Sequence, residues 1–343
     1  MTDPLLRVEN LEVQFRSGSA VTKAVKGVSF TLGRKENIGI VGESGSGKSV
    51  TATSILRLIP NPPGKITGGH IYFEDKDLLA LSNKQMRDIR GNEISMIFQD
   101  PGTSLNPVYT VGNQIIESIK THQNVTKKEA KRQAIEMLEL VGIPAPEKRI
   151  SMYPHEFSGG MRQRVMIAIA LACNPKLLIA DEPTTALDVT VQAQIIDLMK
   201  SLQDRIDTSI IMITHDLGVV WETCEKVLVM YAGNVVESGS VTEIYDNSLH
   251  PYTWGLLESQ ITEGVSHDKE LSTIPGSPPD LSQDIQGCAF AARCPFAQDI
   301  CLTKQPESIE VEKDHFVSCH FQTKESRLNR EEPKYNDRTA IKN

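Results

Sequence analysis

Long apolar runs, an excess of basic residues and an export signal are all missing from this sequence. The longest apolar run, residues 165–173, is far shorter than the ~20 residues of a membrane-spanning helix, so the chain is not expected to cross a bilayer. With 36 Lys and Arg against 44 Asp and Glu, the formal net charge is −8. This acidic balance argues against a broad nucleic-acid footprint. The polar first ten residues predict a cytosolic protein.

Cysteine is also scarce, with six residues among 343. In the cytosol these thiols are expected to be reduced or bound to metal rather than paired in disulfides. Hydrophobic residues (39%) and charged residues (23%) nevertheless allow a substantial core without disulfides. Because single cores stop growing near ~250–300 residues, the length predicts one large domain and an appendage.

The order of apolar segments predicts an α/β fold. Residues 5–40 alternate apolar and polar positions, as antiparallel strands do. Helical periodicity dominates residues 99–157, and apolar strands then alternate with helices. Loop-forming residues follow, and the last segment is highly charged. The predicted divisions are a core at 1–98 and 166–240, a helical subdomain at 99–165, an extension at 241–322 and a tail at 323–343.

A phosphate-binding loop is the clearest motif. It follows an apolar strand, precedes a helix and matches G-x-x-x-x-G-K-[ST]. Its glycines let backbone N–H groups converge on phosphates, Lys48 is expected to reach the β- and γ-phosphates, and Ser49 to bind Mg²⁺. A ligand-free glycine-rich turn is the alternative, which the flanking strand and helix disfavour. The predicted ATP-binding residues are Gly42, Glu43, Ser44, Gly45, Ser46, Gly47, Lys48 and Ser49.

Two adjacent carboxylates, Asp181 and Glu182, end a predicted buried strand. Asp181 is predicted to hold Mg²⁺, and Glu182 to polarise the water that attacks the γ-phosphate. An acidic strand end can also be a solvated cap. The phosphate-binding loop favours the catalytic interpretation.

A second anion-binding pattern begins the helix after Phe157. Ser158, Gly159 and Gly160 provide a hydroxyl and free backbone N–H groups at a helix start, which is where anions bind. The segment Phe157-Ser158-Gly159-Gly160-Met161-Arg162-Gln163-Arg164 resembles the signature of ABC ATPases. The resemblance implies a head-to-tail pair in which each signature caps the ATP held by the other chain.

Three further residues resemble functional positions of ABC ATPases. Gln99 resembles the glutamine that senses Mg²⁺ and the attacking water. Asp188 resembles the aspartate that reaches across the dimer, and His215 the histidine that contacts the γ-phosphate. Phe15 is the candidate for stacking on adenine. Singly these residues also fit a loop amide, a helix cap, a capped strand end and a core aromatic. The order of the motifs along the chain carries the family assignment.

The C-terminal part resembles the extension of the oligopeptide, dipeptide and nickel importers. The resemblance rests on three segments that the core motifs do not contain. They are His250-Pro251-Tyr252-Thr253, Gly276-Ser277-Pro278-Pro279 and the run Gly287-Cys288-Ala289-Phe290-Ala291-Ala292-Arg293-Cys294-Pro295. A proline-started helix alone would also explain the first segment.

Four cysteines in this extension have metal-binding character. Their spacing is C-x5-C-x6-C-x17-C, in a segment with little core-forming periodicity. Four thiolates suit Zn²⁺ or an iron–sulfur cluster, and unligated thiols are the third alternative. Resemblance to family members with a [4Fe–4S] cluster favours that cluster. The predicted ligands are Cys288, Cys294, Cys301 and Cys319.

The resemblance implies an ATPase that drives import of dipeptides or oligopeptides from the cytoplasmic face of a bacterial membrane. The implied partners are a second ATPase subunit, expected to be a paralogue, two transmembrane permease subunits and an extracytoplasmic solute-binding protein. Nickel or another small solute is an alternative cargo. A soluble ABC ATPase acting on nucleic acid or ribosomes is the alternative from another class. No residue here identifies the peptide, and the choice between homodimer and heterodimer stays open.

Overall fold

A computed structural model of the chain describes residues 3–185, 188–203, 207–259 and 273–330. Twelve strands occur among these residues and form two sheets. The strands are β1 (Leu6–Ser17), β2 (Ala20–Leu32), β3 (Asn37–Val41), β4 (Gly64–Phe73), β5 (Lys76–Asp77), β6 (Ile94–Ile97), β7 (Leu177–Asp181), β8 (Ser209–Thr214), β9 (Lys226–Tyr231), β10 (Asn234–Ser240), β11 (Ile309–Glu312) and β12 (His315–Val317).

The larger sheet carries the phosphate-binding loop. Its order is β11-β12-β10-β9-β3-β8-β7-β6, and the five strands from β9 to β6 run parallel to one another. The smaller sheet has the order β2-β1-β4-β5, and its strand pairs are antiparallel. The carboxyl ends of β3, β7 and β8 therefore meet at one edge of the larger sheet, where α/β proteins bind ligands.

Both faces of the parallel strands are covered, which explains their nearly continuous apolar sequences. Along β7, Leu177 and Ile179 face the core shared with the smaller sheet. Leu178 and Ala180, which alternate with them, face the helical core on the other side. The same alternation places Ile210 and Met212 of β8 in the helical core. The α/β prediction is confirmed.

The described residues form twelve α-helices. Thr126 begins one of them with a capping box, since its hydroxyl accepts from Glu129 N and the Glu129 carboxylate accepts from Thr126 N. They are α1 (Lys48–Ile55), α2 (Asn83–Ile89), α3 (Pro101–Ser104), α4 (Val111–His122), α5 (Lys127–Leu140), α6 (Pro146–Arg149), α7 (Gly159–Leu171), α8 (Val189–Gln203), α9 (Leu217–Thr223), α10 (Val241–Asp246), α11 (Pro251–Glu258) and α12 (Asp299–Thr303).

The C-terminal part differs from the loop-rich segment predicted, because two of its short strands extend the larger sheet. β12 pairs antiparallel with β10, and β11 pairs with β12. Strands of three and four residues leave too short an alternation for recognition from sequence. Helix α11 starts at Pro251 with His250 as its N-cap, as the proline predicted. Residues 260–272 of the predicted extension and 331–343 of the predicted tail lie outside the described residues.

No helix in the described part of the chain has the length and apolar character that a bilayer span requires.

Candidate nucleotide-binding site

The turn between β3 and α1 has a backbone that requires glycine at two positions. Gly42 has φ of 151°, and an added Cβ would lie 2.1 Å from the Met230 carbonyl oxygen. Gly47 has φ of 103°, and its Cβ would lie 2.6 Å from the Ala24 carbonyl oxygen. A side chain at either Gly42 or Gly47 would therefore strain the loop and displace it from the sheet edge. The predicted phosphate-binding loop thus lies at the carboxyl end of β3.

Three polar side chains of this turn have the features that a nucleotide phosphate site needs. The buried Lys48 donates from Nζ to the carbonyl oxygens of Gly42 (2.7 Å) and Glu43 (3.0 Å), and burial lowers its pKa. Ser49 Oγ donates to Asp181 Oδ1 at 2.9 Å. The buried Ser46 hydroxyl has no hydrogen-bond partner. A polyphosphate supplies acceptors for such donors, so the residues fit Mg²⁺-ATP.

Asp181 has the environment of a residue that binds a cation. Burial raises the pKa of its carboxyl, and the neighbouring Glu182 acts in the same direction, whereas the bond from Ser49 opposes it. A divalent cation between Ser49 and Asp181 would compensate for the desolvation that burial imposes on this carboxylate. The strand end thus pairs the hydroxyl and the carboxylate that the sequence predicted as Mg²⁺ ligands.

The three predicted catalytic side chains lie together around one carboxylate. Gln99 Nε2 donates to Glu182 Oε2 at 2.8 Å, and His215 Nδ1 lies 3.7 Å from Glu182 Oε1. Sequence reasoning missed Thr185, whose hydroxyl also donates to Glu182 Oε2 at 2.8 Å. Glu182 has φ of 46° and its N–H donates to the Ile213 carbonyl oxygen, which holds the residue in the left-handed region. The carboxylate is thereby fixed by side-chain and backbone contacts.

The predicted signature lies at the start of α7. Ser158 is the N-cap and accepts a hydrogen bond from Met161 N at 3.4 Å. Phe157 is buried, whereas Ser158 and Gly159 are exposed. A Cβ on Gly160 would lie 2.6 Å from Val191 Cγ1 of α8, so a side chain here would displace this helix pair. The exposed helix start keeps backbone N–H groups available to an anion from another molecule.

Two predicted residues have local packing roles in this single chain. Asp188 is exposed, and its Oδ1 accepts from Val191 N at 2.9 Å, so it caps α8. Phe15 lies on β1, is partly buried and packs against the core between the sheets, close to Gly64. Their predicted roles at the dimer interface and at adenine stay predictions. Ala186 and Leu187, which precede Asp188 in the predicted motif, lie outside the described residues.

The C-terminal extension contacts the phosphate-binding loop directly, which sequence reasoning missed. Arg293 donates to both carboxylate oxygens of Glu43, at 2.6 and 2.9 Å, and also to the Ile274 and Pro275 carbonyl oxygens. Tyr252 of α11 accepts from Glu43 N at 2.8 Å. The Glu43 side chain, predicted as part of the ATP site, is thus engaged by the extension. No spacing signal links residues 250 positions apart.

The four cysteines of the extension line one small cavity with apolar walls from aromatic and alanine side chains. The backbone amides of Phe290, Phe296 and Phe321 act to lower the pKa of the Cys288, Cys294 and Cys319 thiols, respectively, against the larger effect of burial. Burial raises the pKa of the Cys288 thiol to about 11 and that of Cys294 to about 12. Without a bound cation these two thiols are therefore protonated near neutral pH.

The predicted four-cysteine cluster is not confirmed. Among the described residues, the ligand atoms that lie within 4.8 Å of one another in a group of three belong to Glu243, Glu312 and His315, and the cysteine sulfurs form no such group. Thiolates on one tetrahedral Zn²⁺ stand ~3.8 Å apart, given bonds of ~2.3 Å. The sulfurs share a cavity, but they are not gathered as around a single ion.

Family profiles match two parts of the chain. The profile described as "ABC transporter" matches residues 25–185, and that described as "Oligopeptide/dipeptide transporter, C-terminal region" matches residues 236–301. The oligopeptide transport ATP-binding protein OppD of Bacillus subtilis is 57% identical over 313 residues, covering 91% of this chain and 87% of its own length. The dipeptide transport ATP-binding protein DppD of the same organism is 51% identical, covering 93% and 95%.

Solved structures are similar across the cassette. The dimeric ATP-binding cassette MJ0796 bound to ADP and Pi, in a post-hydrolysis state, has a TM-score of 0.62 and 28% identity, covering 69% of this chain and 98% of its own. CbiO1 from Clostridium perfringens, part of the ABC transporter complex cbiONQ, has a TM-score of 0.60 and 29% identity, covering 71% and 92%. The larger sheet and its phosphate-binding edge therefore have the architecture of an ABC cassette.

Proposed function

Because this chain belongs to the ABC transporter family, among its oligopeptide and dipeptide transport ATP-binding proteins, we propose that it hydrolyses ATP to energise peptide import. The observation that carries the proposal is the convergence of Gln99, Glu182 and His215 beside the phosphate-binding loop. Glu182 is the base, the Gln99 amide positions one of its carboxylate oxygens, and the His215 imidazole faces the other oxygen.

In the proposed reaction, the Glu182 carboxylate accepts a proton from the attacking water as the water oxygen bonds to the γ-phosphorus. The bond from that phosphorus to the bridging oxygen breaks, leaving ADP and phosphate. Gln99 and Thr185 orient one oxygen of Glu182, and His215 would contact the γ-phosphate. Mg²⁺, when bound, screens the phosphate charge, and Ser49 and Asp181 are the residues that would hold it.

A second ATPase subunit is part of the proposal. The chain has one phosphate-binding loop and one separate anion-binding helix start at Ser158, which is exposed. In a head-to-tail pair, Ser158, Gly159 and Gly160 would reach the ATP of the partner, and Asp188 would lie at the same interface. We take the partner to be a paralogous ATPase, and Phe15 to contact adenine.

The permeases would dock on the helical subdomain at the cytoplasmic face of the membrane. This subdomain, together with Phe98 just before it, exposes several large apolar side chains. Exposed apolar surface of this kind is typical of protein-binding sites. A solute-binding protein outside the membrane would deliver the peptide. The exposed side chains are Phe98, Val108, Tyr109 and Tyr153.

Uptake measurements test the cargo. The chain is restored to cells that lack it, and accumulation of labelled dipeptide, oligopeptide and Ni²⁺ is measured. Loss of peptide uptake in Lys48→Met supports the proposal. The matched control is Lys128→Met on the exposed surface of α5, which is expected to keep uptake. Accumulation of Ni²⁺ without peptide would overturn the peptide assignment and keep the ATPase.

We also propose that Cys288, Cys294, Cys301 and Cys319 hold a [4Fe–4S] cluster, with Zn²⁺ as the alternative metal. Their shared cavity supports the proposal, as do the backbone amides that lower the pKa of three of the thiols, because amide groups near the sulfurs are typical of iron–sulfur ligands. A cluster of four irons also holds its thiolates further apart than one ion does. The cluster would supply a structural staple or a one-electron centre.

Metal analysis of anaerobically purified chain tests the cysteine site. We expect about four irons and four sulfides per chain and broad visible absorption, both lost in Cys294→Ser. The matched control is Cys173→Ser, which lies outside the cavity and is expected to keep the iron. One zinc per chain, or metal-free protein, would reject the cluster.

A further inference from the structure

A second group of potential metal ligands, which contains no cysteine, lies where the C-terminal hairpin meets α10. His315 begins β12 and is 1% exposed. Its Nδ1, Glu243 of α10 and Glu312 of β11 each have a ligand atom within 4.8 Å of the other two. One imidazole and two carboxylates from three different elements thus converge on one point.

The buried imidazole has one satisfied nitrogen and one free nitrogen. His315 Nε2 lies 2.9 Å from Glu237 Oε1, whereas Nδ1 is buried and has no hydrogen-bond partner. The nearest carboxylate oxygen to Nδ1 is that of Glu243, at 3.8 Å, which is too long for a hydrogen bond. An orphaned buried nitrogen that faces two carboxylates needs a partner, and a cation satisfies all three groups.

Glu237 gives the imidazole the form that binds metals. This fully buried carboxylate also accepts from the backbone N–H groups of Leu249 (2.6 Å) and His250 (3.0 Å). With those donors in place, the Glu237 carboxylate accepts a hydrogen bond from His315 Nε2–H, which leaves the imidazole lone pair on Nδ1. A carboxylate behind a histidine is the usual outer partner of a metal-bound imidazole.

We propose that His315 Nδ1, Glu243 and Glu312 bind a divalent transition-metal cation of the Zn²⁺ type. An imidazole with two carboxylates suits Zn²⁺ better than Mg²⁺ or Ca²⁺, which prefer oxygen ligands throughout. Oxygen and nitrogen ligands of tetrahedral zinc stand ~3.4 Å apart, given bonds of ~2.1 Å, so small rotations of the glutamates complete the site. The cation would fasten the β11–β12 hairpin to α10.

Two neighbouring groups compete with a cation for the carboxylates. Arg327 Nη2 lies 2.9 Å from Glu312 Oε1, and Asn247 Nδ2 donates to Glu243 Oε2 at 3.4 Å. If Glu312 is a ligand, the Arg327 guanidinium repels the cation and occupies one of its oxygens. Removing that guanidinium must then strengthen metal binding, whereas a purely ion-paired cluster predicts no metal binding at all.

Cobalt binding to the full chain tests the site, because cobalt reports its ligands. Co²⁺ on nitrogen and oxygen lacks the thiolate-to-metal absorption that Co²⁺ at cysteine gives. We expect one thiolate-free Co²⁺ per chain, displaced by Zn²⁺, and a metal-dependent rise in Tm. Glu243→Gln and Glu312→Gln are each expected to raise the Kd at least tenfold, since outer partners alone change affinity about 10–100-fold.

Matched variants keep this test decisive. Glu307→Gln, an exposed change just before β11, is expected to leave the Kd unchanged, and Arg327→Gln to lower it. The metal-free Tm of Glu312→Gln reports whether this exposed substitution disturbs folding. Absence of thiolate-free cobalt, a Kd unmoved by both glutamate changes, or an unchanged or higher Kd in Arg327→Gln would overturn the three-residue site.

Discussion

Glu182→Gln is expected to lower the rate of ATP hydrolysis by about 10²–10⁴-fold while ATP still binds. Glutamine keeps the shape of Glu182 and its contacts with Gln99 and Thr185 but cannot take the proton from the attacking water. The phosphate-binding loop is expected to contact its ligand through Lys48 and backbone amides, which the substitution leaves in place. Phosphate release and the Kd of a fluorescent ATP analogue, measured on the same preparation, separate the two effects.

A matched carboxylate makes the Glu182 result specific. Glu117→Gln on the exposed face of α4 removes the same charge far from the strand ends and is expected to keep the wild-type rate. Hydrolysis by Glu182→Gln at the wild-type rate would show that another group accepts the proton. A parallel loss of ATP affinity would instead show that Glu182 shapes the binding site.

Arg293→Met is expected to reduce the free energy of unfolding by about 3 kcal/mol and to weaken ATP binding. The Arg293 side chain is 5% exposed and donates to Glu43 and to two backbone carbonyl oxygens, so its removal leaves several partly buried acceptors without donors. Glu43 is partly exposed, which limits the loss by letting water replace some contacts. Denaturant unfolding and nucleotide titration of the full chain measure both effects.

Two comparisons isolate the contact between Arg293 and Glu43. Arg132→Met removes an exposed arginine paired with Glu136 and is expected to change stability by less than about 1 kcal/mol. Combining Glu43→Gln with Arg293→Met is expected to cost less than the sum of the single changes, because both remove the same ion pair. Additive losses, or an unchanged ATP affinity in Arg293→Met, would refute the coupling of extension and loop.

The position of Arg293 gives the extension a structural link to catalysis. Arg293 lies in the chain segment between Cys288 and Cys294, which line the cysteine cavity, and its guanidinium holds the second residue of the phosphate-binding loop. The Tyr252 hydroxyl also accepts a hydrogen bond from the backbone N–H of Glu43. Whatever stabilises or disturbs the cysteine segment therefore acts on a loop that must be preorganised to bind phosphate.

Local sequence patterns alone determined the phosphate-binding loop, the family and the order of the core elements. Gly42 and Gly47 have φ values that favour glycine, and Lys48 follows Gly47 directly in the same turn. The alternation in β7 and the helical face of α5 arise from repeats of two and 3.6 residues, which a short window of sequence contains. Such features need no knowledge of distant residues.

Contacts between residues far apart in the chain depend on the packing of the whole fold. Arg293 and Glu43 are 250 positions apart, and His315 and Glu237 are 78 positions apart. The three-residue strand β12 pairs with β10, and a segment this short has too little alternation to predict its partner. The four cysteines show the same limit, because their spacing predicted ligands but not the distances between sulfurs. Contacts of this kind form when long chain segments close around a packed core. The local periodicity of helices and strands does not predict which segment ends will meet.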